Sequence, residues 1–153
     1  MPARMHYLET DGSVRPGEHH RSRDWPSVGG AGIVLFGPGM EVLLTESIHL
    51  GEVSGSVEAE FRAALSGLRR ARDRRVNRLR LRSDSLPVIQ HLSGAERLDK
   101  RWAAEANGDL LGLLAGFELF EARWTPSSHA LERRRGVPTA DALARRAVGL
   151  SPR

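Results

Sequence analysis

Residues 77–90 read NRLRLRSDSLPVIQ. Leu79, Leu81 and Ser83 alternate with Arg78, Arg80 and Arg82, the period of a strand with one face buried. The alternation stops at Asp84-Ser85, and SLPVIQHLSG then reads as a short helix, because proline is tolerated in a first turn. In open α/β sheets, ligands gather outside the carboxyl ends of strands. An acid at that point is therefore a candidate site residue. Asp-Ser is also a common helix cap, so the acids at the other element ends decide between the two readings.

Working outward, MHYLETD (5–11) predicts a first strand ending at Asp11, and 12–28 predicts a loop, being rich in Gly, Pro, Ser and charge without periodicity. GGAGIVLFG (29–37) and EVLLTESIHL (41–50) predict two more strands joined by a Gly-Pro-Gly turn. From Val57 the period changes to three and four, through Phe61, Ala64, Leu65, Leu68 and Ala71, predicting a helix to about Asp73. Ser54 or Ser56 is its expected cap, with Glu58 and Glu60 in its first turns, where the helix dipole favours acids. After the 77–84 strand and its helix come a helix over 97–116, a fifth strand over 117–126, a polar loop over 127–136 and a final helix over 137–150. Trp102, Phe117, Phe120 and Trp124 follow apolar patterns and are expected in the core. The order predicts an α/β fold: a mixed five-stranded sheet, a three-stranded antiparallel meander plus two parallel strands, flanked by helices.

The 153 residues suit one domain, 1–153, closing in a flexible tail over 149–153. The chain is 40% apolar and 27% charged, as soluble globular proteins are. No run approaches the ~18 apolar residues of a membrane span, and the N-terminus lacks the apolar stretch of a signal peptide. With no cysteine, disulfides and thiolate metal sites are excluded. A cytoplasmic monomer without membrane contact is expected. Net charge is +4, and of 23 basic residues only Lys100 is lysine. Arginine suits phosphate oxygens, although such a bias can also be compositional.

Four acids stand at element ends. Asp11 ends the first strand, Glu60 opens the first long helix, Asp84 ends the fourth strand and Asp141 opens the last helix. Each has a structural reading as a turn or cap acid. If the first and fourth strands are parallel neighbours, however, Asp11 and Asp84 meet. Carboxylates that close repel unless a cation lies between them. Hard divalent cations such as Mg²⁺ select oxygen ligands, and a pair of them serves phosphodiester displacement.

In this order the motifs resemble ribonuclease H, type 1, and its wider reverse-transcriptase-like relatives, over nearly the whole chain. YLETDGS (7–13) is similar to the family's first strand, GGAGIVL (29–35) to its glycine-rich second strand, and EAEFRAALSGLRRA (58–71) to its Ala-Glu helix. LRSDSLPVIQ (81–90) resembles its Asp-Ser motif and ADALARRA (140–147) its final Ala-Asp helix. The resemblance implies a metal-dependent endonuclease that cuts the RNA strand of RNA–DNA hybrids with two Mg²⁺ or Mn²⁺ ions. The ions would be held by Asp11, Glu60, Asp84 and Asp141. Glu60 would help place the attacking water near the 2′-OH, and His129 in PSSHALERR would help product leave. Gly12, Ser13, Ser56, Ser85 and Arg134 are the expected substrate contacts.

The departures fall on recognition. The family's asparagine pair before Ala-Glu is here Ser56-Val57. The glutamine after Asp-Ser is Leu86, and the asparagine before the last Asp is Val137. Only Asn77, Asn107 and Gln90 carry side-chain amides, and reading a 2′-OH requires polar groups in the minor groove. A nuclease for duplex RNA or structured DNA therefore stands as an alternative, with a catalytically silent nucleic-acid-binding module or a scaffold behind it. His19, His20, Asp24 and Trp25 in the 12–28 loop read first as inert surface and second as nucleic-acid contacts. Arg69 to Arg75 read equally as a solvated helix end complementing the dipole, and the arginines of 69–82 and Arg133 to Arg135 as phosphate contacts. No basic handle separates the central helices, as in the family's compact members.

Overall fold

A computed structural model describes residues 4–16, 27–126 and 135–152. The elements run β1 (His6–Arg15), β2 (Ser27–Phe36), β3 (Val42–Val53), α1 (Ser56–Asp73), β4 (Arg78–Ser83), α2 (Leu86–Ser93), α3 (Arg101–Ala115), β5 (Leu119–Trp124) and α4 (Ala140–Ala147). The sheet order is β3-β2-β1-β4-β5. Pairing is antiparallel from β1 through β3, and parallel between β1 and β4 and between β4 and β5. This is the mixed sheet that the periodicities predict. Among the described residues no helix is long and apolar enough to cross a membrane.

Strand alternation divides the core between two faces. Leu8, Ile33, Leu35, Leu79 and Leu81 pack with Phe61, Leu65 and Leu68 of α1, Val88, Ile89 and Leu92 of α2, and Leu110 of α3. On the opposite face Val34 and Phe36 meet Ala140 and Leu143 of α4, with Tyr7 beside them. Each fully buried side chain of this size contributes ~1.5–3 kcal/mol, so the larger cluster dominates stability. The glycines of β2 seat α4: a Cβ on Gly32 would strike the Ala140 carbonyl, and one on Gly30 the Ala144 carbonyl.

Several expectations are corrected. β1 does not stop at Asp11 but continues to Arg15, pairing Asp11 with Gly32 and Arg15 with Val28. Residues 12–15 and 27–28 are therefore strand rather than loop. Asp11-Gly12 reads locally as a turn, but the ladder to β2 holds it extended. Neither Ser54 nor Ser56 caps α1. Gly55 is the N-cap, and the Ser54 N–H and hydroxyl instead donate to Glu58 Oε1, each at 3.0 Å. α3 starts at Arg101, four residues later than expected, and α4 starts after Pro138, with Thr139 capping it through the Ala142 N–H at 3.1 Å. Beyond α4 the Ser151 carbonyl accepts from Arg145 Nε at 2.5 Å.

Replacing Gly32 with Ala forces α4 off the sheet and should cost ~1–3 kcal/mol by overpacking. Gly112→Ala in α3 meets nothing within 4 Å and should stabilise by ~0.5–1 kcal/mol. Thermal melts of the two variants test the opposite signs.

Candidate metal centre

Parallel pairing of β1 with β4 runs from His6↔Leu79 to Glu9↔Arg82. Two residues further along, Asp11 comes level with Asp84. There β4 has ended and the chain turns into α2, while β1 runs on as a hairpin with β2. Gly12 brings in the third acid. A Cβ at this position would collide with the backbone of Ala59 and Glu60, so its absence lets the start of α1 lie directly on β1. Ligand oxygens of Asp11, Glu60 and Asp84 all lie within 4.8 Å of one another. Asp141, in the first turn of α4, hydrogen-bonds to Asp11 from the other side.

The cap reading of Asp84 does not hold, because Ser85 is the N-cap of α2. Glu9, absent from the sequence candidates, is an additional part of the site. It is buried, and its Oε1 accepts the Ala140 N–H at 2.9 Å. A carboxylate at a helix N-terminus is favoured by the dipole, and this one fastens α4 to β1 one residue before Asp141. The signal in the sequence was its place two residues before Asp11, which puts both on one strand face.

Electrostatics follow from the crowding. Burial, then the Asp84 charge, the hydrogen bond and charge of Asp141, and the Glu60 charge push the Asp11 carboxyl up to about 9. Burial and Asp84 also raise Glu60, against the opposing pull of the Ser85 hydroxyl. A cluster this reluctant to ionise takes up either a proton or a cation. All its donors are oxygens, the set that hard divalent cations select, so the residues fit Mg²⁺ or Mn²⁺.

The other candidates are placed unevenly. Gly12 and Ser13 lie within β1, Ser56 is exposed at the start of α1, and Ser85 is buried beside Asp84. Arg135 is exposed in the turn before Val137. His129, Arg133, Arg134, His19, His20, Asp24 and Trp25 lie outside the described residues. Of the eight arginines between 69 and 82, five are engaged within the protein. Arg69 meets Asp109, Arg70 grips Glu46 with two bonds of 2.7 and 2.9 Å, and Arg72 donates to the Gly116 carbonyl at 2.6 Å. Arg78 lies 3.9 Å from Glu118, and Arg80 lies 2.8 Å from Glu121. Trp124, expected in the core, is exposed. It is on the core-facing side of β5 but is the last residue of the edge strand.

The Asp11 shift sets the sign of a pH effect. An unfolded aspartate ionises near 4, whereas folded Asp11 holds its proton up to about 9. Between these values the folded chain binds more protons, so stability without metal should fall as pH rises across that window. In EDTA the melting midpoint should drop between pH 5 and 8, and Asp11→Asn should flatten the drop.

The chain matches the family model described as reverse transcriptase-like over residues 22–147. A search of curated proteins by sequence returns no match. Among solved structures, ribonuclease H1 from the halophilic archaeon Halobacterium salinarum superposes with a TM-score of 0.75 at 24% identity, covering 94% of this chain and 97% of that one. The N-terminal ribonuclease H domain of a Mycobacterium tuberculosis protein gives 0.76 at 23% identity, covering 95% and 94%. A ribonuclease H1 isolated from compost, in complex with an RNA/DNA hybrid, gives 0.66 at 18%, covering 80% and 86%. These identities carry the fold alone, while the family match spans most of the chain. With a ribonuclease H fold and a family match of that extent, the chain belongs to the reverse-transcriptase-like family.

Proposed function

We propose that this protein is a divalent-metal-dependent endonuclease that hydrolyses the RNA strand of RNA–DNA hybrids. The observation that carries the reading is the convergence of Asp11, Glu60 and Asp84, with Asp141 beside Asp11. A binding module gains nothing from holding repelling acids together. Family membership and a fold shared with a ribonuclease H1 solved on an RNA/DNA hybrid support the substrate class.

When bound, a pair of Mg²⁺ or Mn²⁺ ions supplies Lewis acidity to both the attacking and the leaving oxygens of a phosphodiester displacement. Asp11 and Asp84 would hold the pair most directly, with Glu60 and Asp141 completing one ion each. Without cations these acids repel the substrate phosphate, so the chain binds its substrate productively only when loaded. Glu60, set on a helix clamped to β1 at Gly12, would orient water beside the 2′-OH. Glu9 keeps Asp141 in place by fixing the Ala140 N–H. His129 is assigned to product departure. The net charge of +4 favours association with a polyanion.

A second substrate class, duplex RNA or structured DNA, is favoured by one feature. Leu86, exposed at the start of α2, offers no polar group where a 2′-OH would be read.

Labelled hybrid, duplex RNA, duplex DNA and single-stranded RNA, incubated with Mg²⁺ or Mn²⁺, test the reading. Cleavage of hybrid alone is expected, and Asp84→Asn should lower it at least about a thousandfold, ~4 kcal/mol in the barrier. Intact hybrid beside another substrate that is cut moves the reading to the second class, and no cleavage by wild type with either metal sinks it. Glu9→Met should lower turnover about tenfold, ~1.4 kcal/mol, and raise the Mg²⁺ concentration needed for half-maximal rate. Glu9→Gln, which keeps an acceptor for the Ala140 N–H, should stay near wild type.

A further inference from the structure

Among the described residues Trp124 stands apart from the other aromatic side chains. Phe61 packs on Trp102 with ring centroids 5.3 Å apart, and Phe117 on Phe120 at 6.0 Å. Phe36 is fully buried, and Tyr7 lies beneath Arg80. Trp124 is 47% exposed, yet it is not loose. Its indole N–H donates to the Asp84 carbonyl at 3.0 Å, and the next N–H, of Thr125, donates to the Ser83 carbonyl at 2.9 Å. The ring is held by its polar edge while much of its apolar surface stays in water.

Leu86, the first residue of α2, is also 47% exposed. The other exposed large apolar side chains among the described residues are Val42 on β3 and Leu111 on α3. Scattered exposed apolar residues need no explanation. Two of the four, however, border one residue of the candidate metal centre, Trp124 through its indole bond to the Asp84 backbone carbonyl and Leu86 two residues along the chain.

We propose that Trp124 and Leu86 form an apolar shelf on which the sugar and base surface of a nucleic-acid strand packs while its phosphate lies at the carboxylates. This rests on the reading of the site as a nuclease centre. The occupant follows from position, because both side chains border Asp84, one of the acids of the candidate metal centre. In a paired duplex the base faces are stacked on one another, so the ring meets the apolar edges of the sugars and adds affinity without reading sequence. A ring already fixed by its hydrogen bond loses little freedom on binding.

The test is fluorescence anisotropy of labelled RNA–DNA hybrid, duplex RNA and single-stranded DNA, in Ca²⁺ to limit turnover, with steady-state cleavage in Mg²⁺ alongside. Trp124→Ala should weaken the tightest-bound of the three about tenfold and raise KM more than it lowers kcat. Trp124→Phe, which keeps an aromatic face but loses the N–H, should retain affinity within about threefold. Leu86→Ser, on the surface, should weaken binding by a few-fold without moving the melting midpoint, and it serves if Trp124→Ala does not fold. Wild-type affinity in both Trp124→Ala and Leu86→Ser overturns the shelf. So does a Trp124→Phe variant as weak as Trp124→Ala, since the tether to Asp84 would then explain the loss. If wild type binds hybrid without cutting it, the proposed activity falls while the affinity series still decides the shelf. No binding of any of the three overturns both.

Discussion

Mutual repulsion among Asp11, Glu60, Asp84 and Asp141 is the problem that the rest of the structure solves. The acids lie close together in partial burial, where charges are poorly screened, and Asp11 is driven toward its protonated form. Such a cluster persists only because the elements that carry it are held by packing elsewhere. Three helices bury a continuous apolar layer against one sheet face, and a smaller layer holds α4 to the other. The acids sit where these layers meet the end of β4.

Close approach of backbones is the second requirement, and glycine and a buried acid meet it. Gly12 lets the start of α1 touch β1, while Gly30 and Gly32 let α4 lie flat on β2. Glu9 then fastens the first turn of α4 to the same strand that carries Asp11. Glycine supplies closeness and Glu9 supplies register. Together they place Glu60 on one side of Asp11 and Asp141 on the other.

Asp11, Glu60 and Asp84 drew notice because the sequence sets each near a change of period, and the structure brings their oxygens within 4.8 Å of one another. Strand and helix periods were legible locally as well, and the element order followed. Element boundaries were less so. Asp11-Gly12 has the composition of a turn, yet nine register pairs between β1 and β2 keep it extended. Ser54, expected as a cap, is drawn to the Glu58 side chain instead. Trp124 follows the core alternation correctly but lies at the end of an edge strand, where the right face does not guarantee cover.

By itself the sequence determined the α/β class, the five strands and the acids available for a metal. Those properties depend on periodicity and residue chemistry, which neighbouring residues encode. Tertiary structure alone decided that β1 outruns β4 and that Asp141 bonds to Asp11. It also decided that Glu9 meets Ala140 across 131 residues of chain, and that an indole edge holds Asp84 while its ring stays in water. Each of these is a contact between distant segments, set by how the layers pack, and no local pattern carries it.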